Sequence, residues 1–153
     1  MIKFAIYISD IGFIKISYEN NILISIKIIS DNIKEFGEKT DFSDNVFSQI
    51  EEYLNGIRKS FNIPFKLIGT TFQKKVWNAL CDIPYGETRS YKDIAISIDN
   101  KKAYRAVGMA NNKNPIAIIV PCHRVIGINN NIVGYAAGVD IKEKLLAIEK
   151  NNK

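Results

Sequence analysis

Two side chains in the stretch "IIVPCHRVIG" (Ile118–Gly127) can do chemistry that the rest of this 153-residue chain cannot: Cys122 and His123, adjacent in sequence. The chain has only two cysteines and one histidine, so their placement side by side asks for an explanation. A thiol with an ordinary pKa of ~8.5 is only a few per cent ionised at neutral pH and needs a base or a cation to become a nucleophile. His123 can be either. Adjacent residues rarely face each other, so a bridging water is expected between them. A histidine in this role is oriented by a carboxylate. Glu149 is the candidate, one helical turn beyond Leu145 and beside an apolar stripe. It also sits in the last turn of its helix, where a negative charge opposes the macrodipole and gains from a partner. Cysteine, histidine and glutamate together still fit a cysteine hydrolase, an acyl carrier or no chemistry at all.

The elements that must position these groups are legible in outline. "IKFAIYI", "GFIKISY" and "ILISIKI" alternate apolar and polar residues and are separated by "SDI" and "ENN". They predict a three-stranded antiparallel meander with Ile22, Ile24, Ile26 and Ile28 on one face. Val46, Phe47, Ile50, Tyr53 and Leu54 recur at helical spacing and predict a helix over Asp44–Leu54, packed on the sheet. A Gly-, Pro- and Lys-containing connection follows, with a boundary near residues 62–69. A second helix, Thr71–Cys81, carries the stripe Phe72, Val76, Trp77 and Leu80 and ends on Cys81, read as a small core residue.

Ser90 followed by Asp93 has the form of a capping box and opens a short helix with Tyr91, Ile94, Ala95 and Ile98 inward. After a tight turn, Ala103, Ala106, Val107 and Ala110 repeat that spacing, while Lys101, Lys102, Arg105, Met109 and Asn112 mark an outer face. The pair has the form of a helix-turn-helix. Small residues, Gly108 among them, suit close approach to a nucleic-acid backbone. A short extended segment then runs to a turn at Pro121, followed by an asparagine-rich loop. A last helix, Val139–Lys150, places Ile141, Leu145 and Ile148 inward.

Charge sharpens the division. Residues 1–60 hold 7 Lys/Arg against 9 Asp/Glu, and residues 61–153 hold 14 against 7. A net of −2 beside a net of +7 suggests two units, the second of which meets a polyanion. At 46% apolar residues the chain has the material for a real core. It has no apolar run near the ~18 residues a membrane span needs, and its N-terminus lacks the features of a signal peptide. Two cysteines fit reduced thiols in the cytoplasm better than a disulfide framework.

"VPCHRV", with "RAVGMANNKNP" upstream and "GYAAG…K…LLAIE" downstream, resembles the active-site domain of the O6-alkylguanine-DNA alkyltransferases, the methylated-DNA–protein-cysteine methyltransferases. The resemblance runs without gaps from about Ile83 to Glu149. It implies DNA repair by irreversible, single-turnover transfer of an alkyl group from O6-alkylguanine, and O4-alkylthymine, in double-stranded DNA to Cys122. His123 and Glu149 would set up the thiolate, and Tyr91 would turn out the nucleotide and contact the base. Arg105 would fill the vacated place in the stack, with Lys101, Lys102, Ala106 and Gly108 against the DNA. Asn114 would be a hinge. Met109, Val125, Tyr135, Ala136, Ala137 and Lys142 would line the base pocket. Glu87 and Arg124 would form a structural ion pair under the cysteine loop.

The implied fold is α+β: a small N-terminal three-stranded antiparallel sheet with a helix, of the ribonuclease H-like kind (residues 1–65), then a mainly helical C-terminal domain with the helix-turn-helix (66–153). No cofactor is implied, and a monomer is expected. Many relatives have two glycines after "GYx"; here Ala137 takes the first position and Gly138 the second. Some animal members hold zinc through N-terminal cysteines and histidines, and the first third of this chain has neither residue. Lesion-binding relatives without activity carry tryptophan where this chain has Cys122. A regulator switched by alkylation would need a further domain.

Overall fold

The computed structural model describes residues 1–153, which form two compact units: Met1–Ile68 with Pro115–Ala117, and Gly69–Asn114 with Ile118–Lys153. In the first, β1 (Lys3–Ser9), β2 (Gly12–Glu19) and β3 (Ile22–Ile29) make the antiparallel meander that the alternation predicts. The β2–β3 connection is Asn20–Asn21, both at positive φ (52° and 60°). Asparagine tolerates that region, and the two-residue loop matches strand twist.

The register corrects one expectation. Ser17 pairs with Ser25 but Tyr18 pairs with Leu23, so Ile24 is an extra residue, a β-bulge. The slip puts Leu23 and Ile26 in the core and leaves Ile22 exposed, so the four isoleucines do not share one face. α1 (Asp41–Leu54) packs Val46, Ile50 and Tyr53 toward this sheet, and Tyr7 stacks on Phe47 with centroids 4.4 Å apart. It starts three residues earlier than the expected Asp44 because Thr40 and Ser43 form a reciprocal capping box.

Both sheet edges are covered, which removes templates for aggregation. Residues 36–38 bond to β1 through Ile6 N–H to the Phe36 carbonyl (2.8 Å) and Glu38 N–H to the Phe4 carbonyl (2.8 Å). Gly37 is required there: at φ 74°, a Cβ would stand 2.1 Å from the Phe4 oxygen. The β3 edge bonds to Pro64 and Lys66 through Leu23, and to Pro115 and Ala117 through Ile26.

The second unit opens with α2 (Thr71–Cys81), capped by Thr70 and Gln73. α3 (Tyr91–Ser97) and α4 (Tyr104–Asn112) are joined by a turn, and the Ser90–Asp93 capping box is present. Lys101 and Lys102 lie in that turn rather than on α4. The Trp77 indole N–H donates to the Ala110 carbonyl at 2.8 Å and fixes α2 against α4. Two short strands, β4 (Arg89–Ser90) and β5 (Val125–Ile126), pair in parallel, and α5 (Val139–Asn152) closes the chain.

Cys81 is exposed, not a core residue. α2 buries Val76, Trp77 and Leu80, and the ~100° step per residue carries Cys81 off that face at the helix end. Nor is the segment before Pro121 extended throughout. Only Ile116 makes a bridge, and Ala117–Ile119 form a turn in which Ile118 takes φ 74°. No helix is long and apolar enough to cross a membrane.

Candidate active site around Cys122

The nucleophile is held by backbone geometry first. Pro121, at φ −82° and ψ 63°, makes an inverse γ-turn that brings the Cys122 N–H to the Val120 carbonyl at 2.8 Å. Cys122–Arg124 then form one turn of 3₁₀ helix, with Arg124 N–H on the Pro121 carbonyl at 3.0 Å. Four residues upstream, the left-handed Ile118 is costly for a β-branched side chain and turns the chain toward this segment. The Asn114 amide donates to the Val120 carbonyl at 2.8 Å, tying the end of α4 to the cysteine segment. β5 follows at once, so Val125, fully buried, pairs with Arg89.

Glu149 is the centre of the buried charge. Its Oε2 lies 2.6 Å from His123 Nε2 and 3.1 Å from Arg124 Nη2; its Oε1 accepts from Arg124 Nε at 2.8 Å and from the Gly86 N–H at 3.0 Å. His123 and Glu149 are essentially inaccessible, and Arg124 is 7% exposed. The macrodipole penalty at the end of α5 is offset by the Arg124 guanidinium, whose Nη1 also donates to the Ile83 carbonyl at 2.7 Å. The expected Glu87–Arg124 pair is not formed. Glu87 bonds Arg89 at the surface (3.1 Å), because a half-exposed carboxylate two residues from an arginine has a cheaper partner than a buried one.

The ionisation states follow from burial. Cys122 is 5% exposed, and burial pushes its thiol above the ordinary value; the Asn114 amide and the Lys142 ammonium pull the other way. Burial also lowers His123, against the opposing effect of Glu149. The resting pair is therefore a neutral thiol beside a neutral imidazole, poised to exchange a proton only as charge develops. Lys142 is fully buried, its pKa lowered to about 8 by desolvation, and its Nζ donates to the Val133 and Gly134 carbonyls at 2.7 and 3.3 Å. The Tyr91 hydroxyl reaches the same Val133 carbonyl at 3.3 Å. Burial raises the Tyr91 phenol, with the Cys122 charge as second cause. The Tyr135 hydroxyl is buried beside the Cys122 sulfur and held well above its ordinary value, by burial first and by that sulfur's charge second.

Thus the structure brings together Cys122, His123, Glu149, Arg124, Lys142, Tyr135, Tyr91 and Asn114. Ala136 is exposed and Ala137 half-buried in the loop that leads to α5, where Gly138 takes φ 107°. Arg105, Ala106, Lys101 and Lys102 are exposed around the start of α4. A Cβ on Gly108 would meet the Tyr91 ring at an ordinary 3.7 Å. Met109 is not at Cys122. It is 66% exposed, one turn beyond Arg105, and borders a surface hollow with Phe72 and Lys113. The inward positions of α4 are Val107, Ala110 and Asn111, so the pocket assignment of Met109 does not hold.

Asn111 is the residue that sequence reasoning missed. Its amide donates to the Cys122 carbonyl at 3.3 Å, and it is 1% exposed. The available signal was a polar residue four positions after Val107, inside an apolar stripe. Lys142 carried a similar signal: α5 buries Lys142, Leu145 and Glu149, whereas Ile141 and Ile148 are half-buried at its flanks. No group of three or more His, Cys, Asp or Glu side chains is arranged to hold a metal ion.

Residues 71–151 match the family model described as the 6-O-methylguanine DNA methyltransferase DNA-binding domain. The chain is 60% identical over 115 residues to a methylated-DNA–protein-cysteine methyltransferase of Methanosarcina mazei, covering 75% of this chain and 73% of that one. The fold superposes on the O6-methylguanine methyltransferase of Mycobacterium tuberculosis with a TM-score of 0.91 at 38% identity, covering 100% of this chain and 95% of that one. The Mycobacterium tuberculosis OGT in complex with DNA aligns with a TM-score of 0.90 at 39% identity, over 97% and 93% of the two chains.

Proposed function

This chain belongs to the methylated-DNA–protein-cysteine methyltransferase family, and from that premise we propose that Cys122 is the acceptor in direct repair of alkylated DNA. The observation that carries the assignment is the 2.6 Å His123–Glu149 contact, formed by the residue next to the buried cysteine. In the reaction Cys122 Sγ attacks the alkyl carbon in line with its bond to O6 of guanine. The S–C bond forms as the C–O6 bond breaks, and the electron pair stays with the guanine. The thiol proton passes to His123 through a bridging water and is returned from the imidazolium to the guanine as it leaves, so the histidine ends neutral. Glu149 stabilises the imidazolium, and Arg124 holds Glu149 in place for it. Lys142 and Asn114 lower the cost of charge on sulfur. A thioether is a poor leaving group, so each molecule reacts once.

The sulfur of a cysteine only 5% exposed cannot meet a stacked base, so the nucleotide must leave the helix at a cost of a few kcal/mol. Tyr91 turns it out, and Arg105 takes the vacated place in the stack. Lys101, Lys102, Ala106 and Gly108 lie along the DNA backbone, which suits binding without base reading. Val125, Tyr135, Ala136, Ala137 and Lys142 wall the base, and Asn114 is the hinge between α4 and the cysteine segment. The proposal takes residues 1–65 as the N-terminal domain and 66–153 as the DNA-binding and active-site domain. It extends to O4-alkylthymine, to a cytoplasmic protein with reduced thiols, and to a monomer acting on double-stranded DNA without a cofactor.

The test is intact-mass spectrometry after incubation with a duplex containing O6-methylguanine. One added methyl group, mapped to Cys122 and absent from Cys122→Ser, is expected. Methylation mapped to Cys81, or several turnovers per molecule, sinks the proposal.

A further inference from the structure

The Cys122 carbonyl is held by two donors: the Val125 N–H, which closes the 3₁₀ turn, and the Asn111 side-chain amide. The Val120 carbonyl two residues earlier is held in the same way, by the Cys122 N–H and the Asn114 amide. Asn111 and Asn114 are themselves joined, since the Asn114 N–H donates to the Asn111 carbonyl at 3.3 Å. The end of α4 therefore grips the cysteine segment at two points. Asn114 already has a place in the proposed function; Asn111 has none.

The gripped oxygen matters because of where it lies. It belongs to the peptide that joins Cys122 to His123. That peptide is planar, so fixing its oxygen restrains ψ of Cys122 and φ of His123 together. The two hydrogen bonds to this oxygen thus restrain the backbone from which both the sulfur and the imidazole project.

Asn111 is also an expensive way to fill its position. Its Oδ1 is buried and has no hydrogen-bond donor from the protein. A leucine would occupy the same inward face beside Val107 and Ala110 without that desolvation penalty. The amide orientation is set by its neighbour: turned over, Oδ1 would face the Cys122 oxygen, acceptor against acceptor.

We infer that Asn111 is a positioning residue for alkyl transfer, holding the Cys122–His123 peptide in the reactive orientation from the inner face of the helix whose outer face meets DNA. The inference rests on the reading of Cys122 as the acceptor.

The test compares wild type, Asn111→Leu and Asn111→Asp in benzyl transfer from free O6-benzylguanine and methyl transfer from duplex, alongside thermal unfolding. Asn111→Leu is expected to unfold at the same temperature or higher, because it removes the unsatisfied oxygen. Its transfer rate should fall roughly tenfold on both substrates, the equivalent of ~1.4 kcal/mol. Higher stability with a lower rate is an outcome that a merely structural residue does not produce. Asn111→Asp restores a donor only when its carboxyl is protonated. Its rate relative to Asn111→Leu should therefore climb severalfold as pH is lowered. Asn111→Leu reacting at the wild-type rate, or an aspartate-to-leucine ratio flat with pH, overturns the inference and leaves the role of Cys122 intact. A wild-type protein that takes up neither the benzyl nor the methyl group overturns both.

Discussion

Replacing Glu149 by glutamine changes one atom and strikes the site at its most connected point. The carboxylate accepts from two donors on each oxygen: Arg124 Nε and Gly86 N–H on one, His123 Nε2 and Arg124 Nη2 on the other. A glutamine turned either way places an NH₂ against two of those donors. It also leaves the Arg124 guanidinium, 7% exposed, without its countercharge. Breaking a buried pair from one side costs ~3–5 kcal/mol, a large share of the ~5–15 kcal/mol that holds a domain together. At ~2–4 °C per kcal/mol for a protein of this size, the thermal midpoint should fall by roughly 6–20 °C. The chemical effect is separate. His123 loses the acceptor that orients it and stabilises its charge, so benzyl transfer by the folded protein should slow on the order of a hundredfold, within the span of general acid–base contributions. The two effects part in a double variant, Glu149→Leu with Arg124→Met, since apolar replacement of a buried pair is often neutral or stabilising. Its midpoint should recover toward wild type while transfer stays slow. A Glu149→Gln protein that melts within a degree or two of wild type would refute the account of the buried network. So would unchanged transfer by its folded fraction.

Arg105→Ala should slow repair of duplex DNA far more than reaction with free O6-benzylguanine, which needs no flipping; equal losses would remove its role in the stack. Tyr91→Ala should impair both substrates. Duplex affinity should fall steeply with salt because the cations around α4 displace few but real counterions, and a salt-independent Kd would contradict that reading. Lys142, lowered from 10.5 to about 8, binds its proton less well folded than unfolded, so between these values only the unfolded chain is protonated. Stability should therefore rise with pH across that window, and Lys142→Met should abolish the rise. A methyl or benzyl group left on the sulfur of a cysteine 5% exposed must displace packed neighbours, at ~1–3 kcal/mol. Denaturant titration before and after reaction should show a lower midpoint, and an unchanged one would mean the pocket has room to spare.

Much of this protein follows from short-range physics that the sequence displays without a structure. Strands β1 to β3 announce themselves by alternation, α2 by its stripe, and α3 by the Ser90–Asp93 box, because each depends on residues a few positions apart. "PCHR" places a thiol, an imidazole and a guanidinium in one turn, and Glu149 stands out as a carboxylate at the wrong end of a helix. Tertiary structure decided what each of these groups faces. Arg124 pairs with Glu149 and not with Glu87, although Glu87 is also an acid near the same loop, because only the last turn of α5 delivers a carboxylate into the buried space. The bulge at Ile24 changes which isoleucines are inside, and nothing local distinguishes it from regular alternation. Asn111 and Lys142 share the buried faces of their helices with Val107 and Leu145, and their partners are carbonyls. Any residue can supply a carbonyl, so sequence carries no mark of which one will be met. Hydrogen bonds to the backbone are written by the path of the chain, and that path exists only once the helices have packed.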